Sequence, residues 1–370
     1  MVQRGVVVIG AGPAGLAAAA ELGRLGIGAT VLEQAAAVGA SWRSRYDRLR
    51  LNSSRWFSSL PGQRHTSENG PFPSRDQMVR YLEDYAGAKG LDVQLNTRLE
   101  RVDRNGAGWS LRTSAGDVAA EQVVVASGYA HTPYIPDWPD RASYSGRLLH
   151  AADYRNPEPF RGQDVLVVGA GCSGMEIAYD VIEGGAARVR LAVRTPPNIL
   201  IRSPLGPLFA RGMLKLGPER ADRIMPLIRR LEVGDLTEYG LPVPEEGIFA
   251  RLMRLGVAPA IVDKVVIKAI KERRIEIVAG VESLGADGVG LADGTRLEPD
   301  AVIAATGYGC GLEPVVGHLG VLNEKGVPQP PTGDEAAPGL RFIGFLPRPA
   351  HIGKIANEAT YVAEAIAQGS

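Results

Sequence analysis

Two glycine-rich stretches, Gly10-Ala11-Gly12-Pro13-Ala14-Gly15 and Gly169-Ala170-Gly171-Cys172-Ser173-Gly174, each follow an apolar β-branched run and open a helical one. In such a loop the first glycine makes a tight turn and the second lets the backbone approach a pyrophosphate. The third lets the helix pack close to the strand, and the helix N-terminus supplies amide donors and its positive dipole end. Ser173 adds a hydroxyl to the second loop, and Cys172 reads as a small filler there rather than a nucleophile. One such loop is weak evidence for a dinucleotide site; two in the right context are strong evidence. The residues that end the second strand of each copy differ. Glu33 closes the run ATVLE, where a carboxylate accepts hydrogen bonds from ribose hydroxyls and repels a 2′-phosphate, so the first site suits FAD or NAD. Arg194-Thr195 closes the run RVRLAVR, where a guanidinium pairs with a 2′-phosphate and favours NADPH over NADH.

The elements that hold these loops repeat as a plan. The first copy runs GVVVI, loop, helix AGLAAAAELGRLG, strand ATVLE, and later a meander ending in Ala126-Ser127-Gly128-Tyr129. The second runs DVLVV, loop, helix SGMEIAYDVIEGG, strand RVRLAVR, and a meander ending in Ala305-Thr306-Gly307-Tyr308. The apolar strands suit a parallel sheet covered on both faces. The expected fold is therefore α/β, with two Rossmann-like dinucleotide-binding domains, each crossed by a small antiparallel meander. The run LRFIGF reads as one more buried strand followed by a helix, which returns the chain to the first domain. Residues 204–256 fit neither copy and read as a helical insertion, either packing beside the second domain or walling the substrate access.

Composition narrows the function classes. Lys+Arg and Asp+Glu both number 41, so no net charge points to nucleic acid or an anionic membrane. Cys172 and Cys310 are far apart and form no CxxC, which argues against zinc, iron–sulfur and redox-disulfide chemistry. Two unclustered cysteines fit a reducing cytosol. The apolar run from Gly5 to Ala20 reads as a buried strand and helix start rather than a signal peptide, and no stretch is long enough to span a bilayer.

Beyond the first loop come Val38-Gly39-Ala40-Ser41-Trp42-Arg43 and Tyr46-Asp47-Arg48-Leu49-Arg50-Leu51-Asn52. This stretch resembles the GGxW…Y…L segment of the flavin-containing monooxygenases, class B flavoprotein monooxygenases, and of their plant YUCCA-like relatives. Tyr144-Ser145-Gly146 through His150 to Tyr154 resembles the family fingerprint FxGxxxHxxxW with tyrosine at both aromatic ends, and Ala305-Thr306-Gly307-Tyr308 is similar to its ATGY element. The fingerprint continues Tyr154-Arg155 instead of the Trp-Pro/Asp of Baeyer–Villiger members. The chain is short for a microsomal member, so a soluble bacterial-type enzyme in the cytoplasm is expected.

The resemblance implies a glutathione-reductase-like two-domain flavoprotein. Residues 1–150 and 305–370 would form the FAD domain and 155–304 the NADPH domain. It implies reduction of FAD by NADPH, capture of O2 as a C4a-hydroperoxyflavin, and oxygen transfer to a small-molecule substrate at a soft nitrogen, a sulfur or a carbonyl. Asn52 falls where the family places an asparagine beside flavin and nicotinamide, able to donate to the peroxide oxygen and hold the nicotinamide ribose. The residues expected to bind cofactor are Gly10, Gly12, Pro13, Ala14, Gly15, Glu33, Gln34, Gly39, Ser41, Trp42, Arg43, Leu49, Val102, Ala126, Ser127, Gly128 and Tyr129, then Gly169, Gly171, Ser173, Gly174, Arg194, Thr195, Thr306, Gly307 and Tyr308. His150 reads as a linker residue. His351, after Pro349-Ala350, reads either as a structural histidine or as a contact to flavin or substrate. Two other classes stay open: a two-nucleotide reductase or oxidase that only makes peroxide, and a non-catalytic FAD sensor. A homo-oligomer also stays open, and no nucleic-acid partner or metal is expected.

Overall fold

The structure, a computed structural model, describes residues 2–255, 259–347 and 350–369; the expected insertion end at Gly256, and Pro349, lie outside the described residues. The chain divides into two compact units, one of residues 1–44, 53–132 and 308–370 and the other of 45–52 and 133–307.

The first unit is built on an eight-stranded sheet. Its parallel core runs Leu340–Phe342, Val118–Val125, Val2–Ile9, Ala29–Leu32 and Asp92–Gln94, with Val8 opposite both Val31 and Val124. Val6, Val7, Val8 and Ile9 are all buried, as strands covered on both faces require. Leu99–Asn105 and Gly108–Thr113 continue antiparallel from Val118–Val125 as the meander. The glycine loop leads from Val2–Ile9 into the helix Pro13–Arg24, where Pro13 is tolerated because a first-turn N–H has no helical acceptor. LRFIGF supplies the strand Leu340–Phe342, paired in parallel with Val123–Val125, and the chain ends in the helix His351–Gln368.

The second unit repeats the plan with a five-stranded parallel sheet, ordered Ile275–Ala279, Arg188–Val193, Asp164–Val168, Ala301–Ala304 and Arg147–His150. A meander of Val281–Gly285, Gly288–Leu291 and Arg296–Leu297 follows. The insertion forms helices Gly206–Leu216, Pro218–Glu232 and Ile248–Leu255 around Ala221, Met225, Ile248 and Phe249. Asp222 accepts the N–H groups of Phe249 and Ala250 at 2.9 and 2.8 Å and so caps the last of these helices. Its root is a parallel pair, Ile199–Ile201 with Ala260–Val262.

The unit boundaries depart from the expected ranges at three places, the shortest being residues 305–307, which fall in the second unit. Residues 133–150 pack with the second unit, because Arg147–His150 is the edge strand beside Ala301–Ala304. Residues 45–52 also belong there, although they lie within the first copy in sequence. The Asp47 N–H donates to the Arg155 carbonyl at 2.8 Å, and Arg155 Nη1 donates to the Arg45 carbonyl at 2.8 Å. The Arg48 guanidinium covers the Tyr179 ring at 4.5 Å. Among the described residues no helix is long and apolar enough to cross a membrane.

Candidate functional site: two phosphate loops and a polar cluster

The two loops share one geometry. Gly10 and Gly169 have φ of +103° and +109°, and a Cβ on Gly15 or Gly174 would stand 1.8 Å from the carbonyl oxygen of Gly10 or Gly169. Only glycine meets both demands, the first conformational and the second steric.

In the first unit Glu33 is buried at the end of Ala29–Leu32. Its Oε2 accepts the Ala11 N–H of the loop at 2.7 Å and its Oε1 accepts the Ala35 N–H at 2.9 Å, so the carboxylate is locked against the loop. Gly39 donates its N–H to the Ala11 carbonyl at 3.0 Å, which brings the helix Ala40–Arg43, with Ser41 and Trp42, to the same turn. Arg43 is tied to Glu83 at 2.5 Å and Gln34 contacts His131 at 3.4 Å. The Val102 side chain is wholly buried beside Trp109 and Leu111, and its strand pairs with Gly108–Thr113 with Val102 opposite Leu111. Ala126 donates to the Ile9 carbonyl at 2.9 Å, so Ser127, Gly128 and Tyr129 follow directly from the strand beside the loop. Among the described residues the buried Ser127 hydroxyl has no hydrogen-bond partner. A buried hydroxyl beside a phosphate loop fits a bound dinucleotide that would satisfy it. The rings of Tyr129 and His351 meet edge to face, centroids 5.2 Å apart.

In the second unit the loop opens on a cleft of about 570 Å³. Gly169, Gly171, Arg194, Thr195, Thr306 and Gly307 line it, together with Tyr134, Asn198 and Arg251, which the sequence did not mark. Ser173 and Gly174 lie in the first turn of the helix Cys172–Glu183 behind it. Arg194 is exposed and, among the described residues, makes no hydrogen bond or ion pair. Gly280 packs against it so closely that a Cβ there would stand 2.9 Å from the Arg194 Cα. The insertion contributes Arg251, whose Nη1 donates to the Pro196 carbonyl at 3.3 Å, two residues beyond Arg194. An unpaired guanidinium with a second one nearby in a cleft is the donor set for a phosphate monoester. Burial pushes the Cys172 thiol up, and its sulfur accepts the Ile261 N–H at 3.3 Å, as a filler would.

The second unit also holds a buried polar cluster. Arg202, from the insertion root, is ion-paired to Glu176 on the loop helix and to Asp263 at 3.1 Å. The Tyr46 hydroxyl donates to Glu176 at 3.0 Å, and Arg202 Nη2 donates to Asn52 Oδ1 at 3.2 Å. Burial pushes the Glu176 carboxyl up against the pull of Arg202 and the Tyr46 hydroxyl, and burial beside Glu176 raises Tyr46 well above an ordinary phenol. Leu49 packs on the core of this unit.

The fingerprint residues are structural ties. The Tyr154 hydroxyl donates to buried Asp180 at 2.8 Å, and the Tyr144 hydroxyl to the Pro299 carbonyl at 3.4 Å. His150 Nε2 donates to the Gly307 carbonyl at 3.0 Å while its Nδ1 accepts the Ala152 N–H at 3.0 Å, so His150 holds the glycine of the Ala305-Thr306-Gly307-Tyr308 element.

Residues 7–201 match the model of the pyridine nucleotide-disulphide oxidoreductase family. The chain is 34% identical over 355 residues to indole-3-pyruvate monooxygenase YUCCA1 of Oryza sativa subsp. japonica, covering 93% of this chain and 87% of the relative. It is 32% identical to the probable indole-3-pyruvate monooxygenase YUCCA3 of Arabidopsis thaliana, over 92% of this chain and 82% of that one. A doubly substituted flavin monooxygenase from Stenotrophomonas maltophilia superposes with a TM-score of 0.77 at 25% identity, over 100% of this chain and 99% of that one. The paired nucleotide units and this likeness along nearly the whole chain lead to one assignment: the chain belongs to the pyridine nucleotide-disulphide oxidoreductase family and is an NADPH- and O2-dependent flavoprotein monooxygenase.

Proposed function

We propose that the first unit binds FAD and the second NADPH, and that the enzyme transfers one oxygen atom to a small organic substrate at a soft nitrogen, a sulfur or a carbonyl. The observation that carries the reading is the contrast at the two strand ends: a locked carboxylate at Glu33 and, lining the cleft, a guanidinium at Arg194 that has no partner among the described residues. Glu33 would take ribose hydroxyls and, with the amides of Gly12, Ala14 and Gly15, orient the dinucleotide. Ser127 would donate its free hydroxyl to the same ligand. Arg194 and Thr195 would hold the 2′-phosphate, with Arg251 closing over it from the insertion. Bound flavin supplies the hydride acceptor and the reaction with O2. Asn52 would present its amide N–H groups to the nicotinamide ribose and to the oxygen being transferred.

The test is stoichiometric. Purified holoenzyme is supplied with NADPH and labelled O2 and screened against amines, thioethers, ketones and 2-oxo acids. Indole-3-pyruvate heads the panel because the plant relatives bear that name. A substrate that gains one labelled oxygen and suppresses peroxide release is expected. Peroxide equal to NADPH consumed with every compound would make the enzyme an oxidase instead.

A further inference from the structure

Asn52 is held from behind by an arginine, and an arginine can only donate hydrogen bonds. The Asn52 atom that faces Arg202 Nη2 at 3.2 Å is therefore its carbonyl oxygen. The amide nitrogen, among the described residues, makes no hydrogen bond. Arg202 itself has little freedom: its side chain is 2% exposed and bound to Glu176 and Asp263. Its backbone N–H donates to the Val262 carbonyl at 2.9 Å, so the strand register sets Arg202 beside Asp263. Glu176 is in turn fixed by the Tyr46 hydroxyl, from the same short segment that carries Asn52. A buried ion pair seldom adds stability over a packed apolar pair, so stability alone does not account for this arrangement.

We infer that Arg202 is a positioning residue for Asn52: anchored by Glu176 and Asp263, it takes the Asn52 carbonyl oxygen and presents the amide N–H groups to the nicotinamide end of the coenzyme. This rests on the reading of Asn52 given above. It adds that the asparagine is carried by the second unit, tied to the phosphate-loop helix through Glu176. The insertion root thus takes part in the site through Arg202.

The test is calorimetry on the oxidised holoenzyme with two ligands, NADP+ and 2′,5′-ADP, the second lacking the nicotinamide half. Asn52→Ala, Arg202→Lys and the charge-balanced Arg202→Met with Glu176→Gln are compared. Lysine keeps the charge between Glu176 and Asp263 but lacks the planar fork that also reaches Asn52. Each variant is expected to weaken NADP+ about tenfold and leave 2′,5′-ADP unchanged, the loss of one hydrogen-bonded contact. Asn52→Ala combined with Arg202→Lys should be no weaker than either alone. If Asn52→Ala weakens NADP+ while either folded Arg202 variant keeps wild-type affinity, the positioning role is overturned and the Asn52 reading stands. If Asn52→Ala changes neither ligand, the Asn52 reading falls first. A parallel loss of both ligands in the Arg202 variants makes Arg202 a merely structural residue and overturns the inference.

Discussion

A Cβ on Gly174 would stand 1.8 Å from the carbonyl oxygen of Gly169, and the same distance separates a Cβ on Gly15 from the Gly10 carbonyl. No rotamer relieves a clash between a Cβ and a backbone oxygen, so an alanine must push the helix away from its loop. Gly174→Ala is expected to retain flavin, measured by absorbance per protein, and to lose most NADPH-dependent flavin reduction under nitrogen. Gly15→Ala should purify with little flavin. Flavin loss in Gly174→Ala and not in Gly15→Ala would reverse the two assignments.

Arg194 should distinguish the coenzymes. Removing one charge-assisted contact to a phosphate weakens binding by roughly tenfold to a hundredfold. Arg194→Ala is therefore expected to raise the KM for NADPH by that factor and leave NADH little changed. Equal losses for both coenzymes would show that Arg194 does not read the 2′-phosphate.

Arg251 tests whether the insertion takes part in coenzyme recognition. Its guanidinium lines the same cleft and bonds to the Pro196 carbonyl. Arg251→Ala should weaken 2′,5′-ADP by about tenfold and 5′-AMP hardly at all. Unchanged 2′,5′-ADP binding would leave Arg251 as a tie between the insertion and the strand end.

Two buried histidines should make stability depend on pH. Burial lowers the pKa of His65 and His150 below the ordinary imidazole value. His65 Nε2 donates to the Ser58 carbonyl at 3.1 Å and its ring stacks on Tyr81 with centroids 3.9 Å apart; both imidazoles are held neutral. The unfolded chain then takes up protons before the native one does, so stability is full above about pH 6.5 and falls as the pH drops below it. The melting temperature should decline from pH 7.5 toward 5.5, and His150→Gln, which keeps a donor and an acceptor, should flatten the decline. An identical pH profile in that variant would remove His150 from the effect.

Released flavin should chromatograph as FAD, since the first unit pairs its phosphate loop with the Glu33 carboxylate, proposed above to take the ribose hydroxyls. Recovery of FMN alone, from protein kept free of phosphodiesterase, would contradict the first site.

The parts of this protein legible in the sequence are those whose signal is local. Glycine spacing and β-branched runs announced both loops, because turn geometry and burial on two faces act on consecutive residues. Glu33 and Arg194 were readable for the same reason: each ends the strand that follows its loop helix. The partner of Asn52 had no such signal. Arg202 lies 150 residues away, and the two meet because residues 45–52 fold onto the second unit. Arg251 was hidden likewise, since a surface arginine on an amphipathic helix looks like any solvated charge until the fold turns it into a cleft. The boundary near residue 132 followed from sheet pairing, as Arg147–His150 gains a neighbour only when Ala301–Ala304 is in place. Sequence alone determined which chemistry the strand ends can offer a nucleotide. Tertiary packing decided which polar side chains stand behind that chemistry, because a buried donor selects its acceptor by proximity in space and not by distance along the chain.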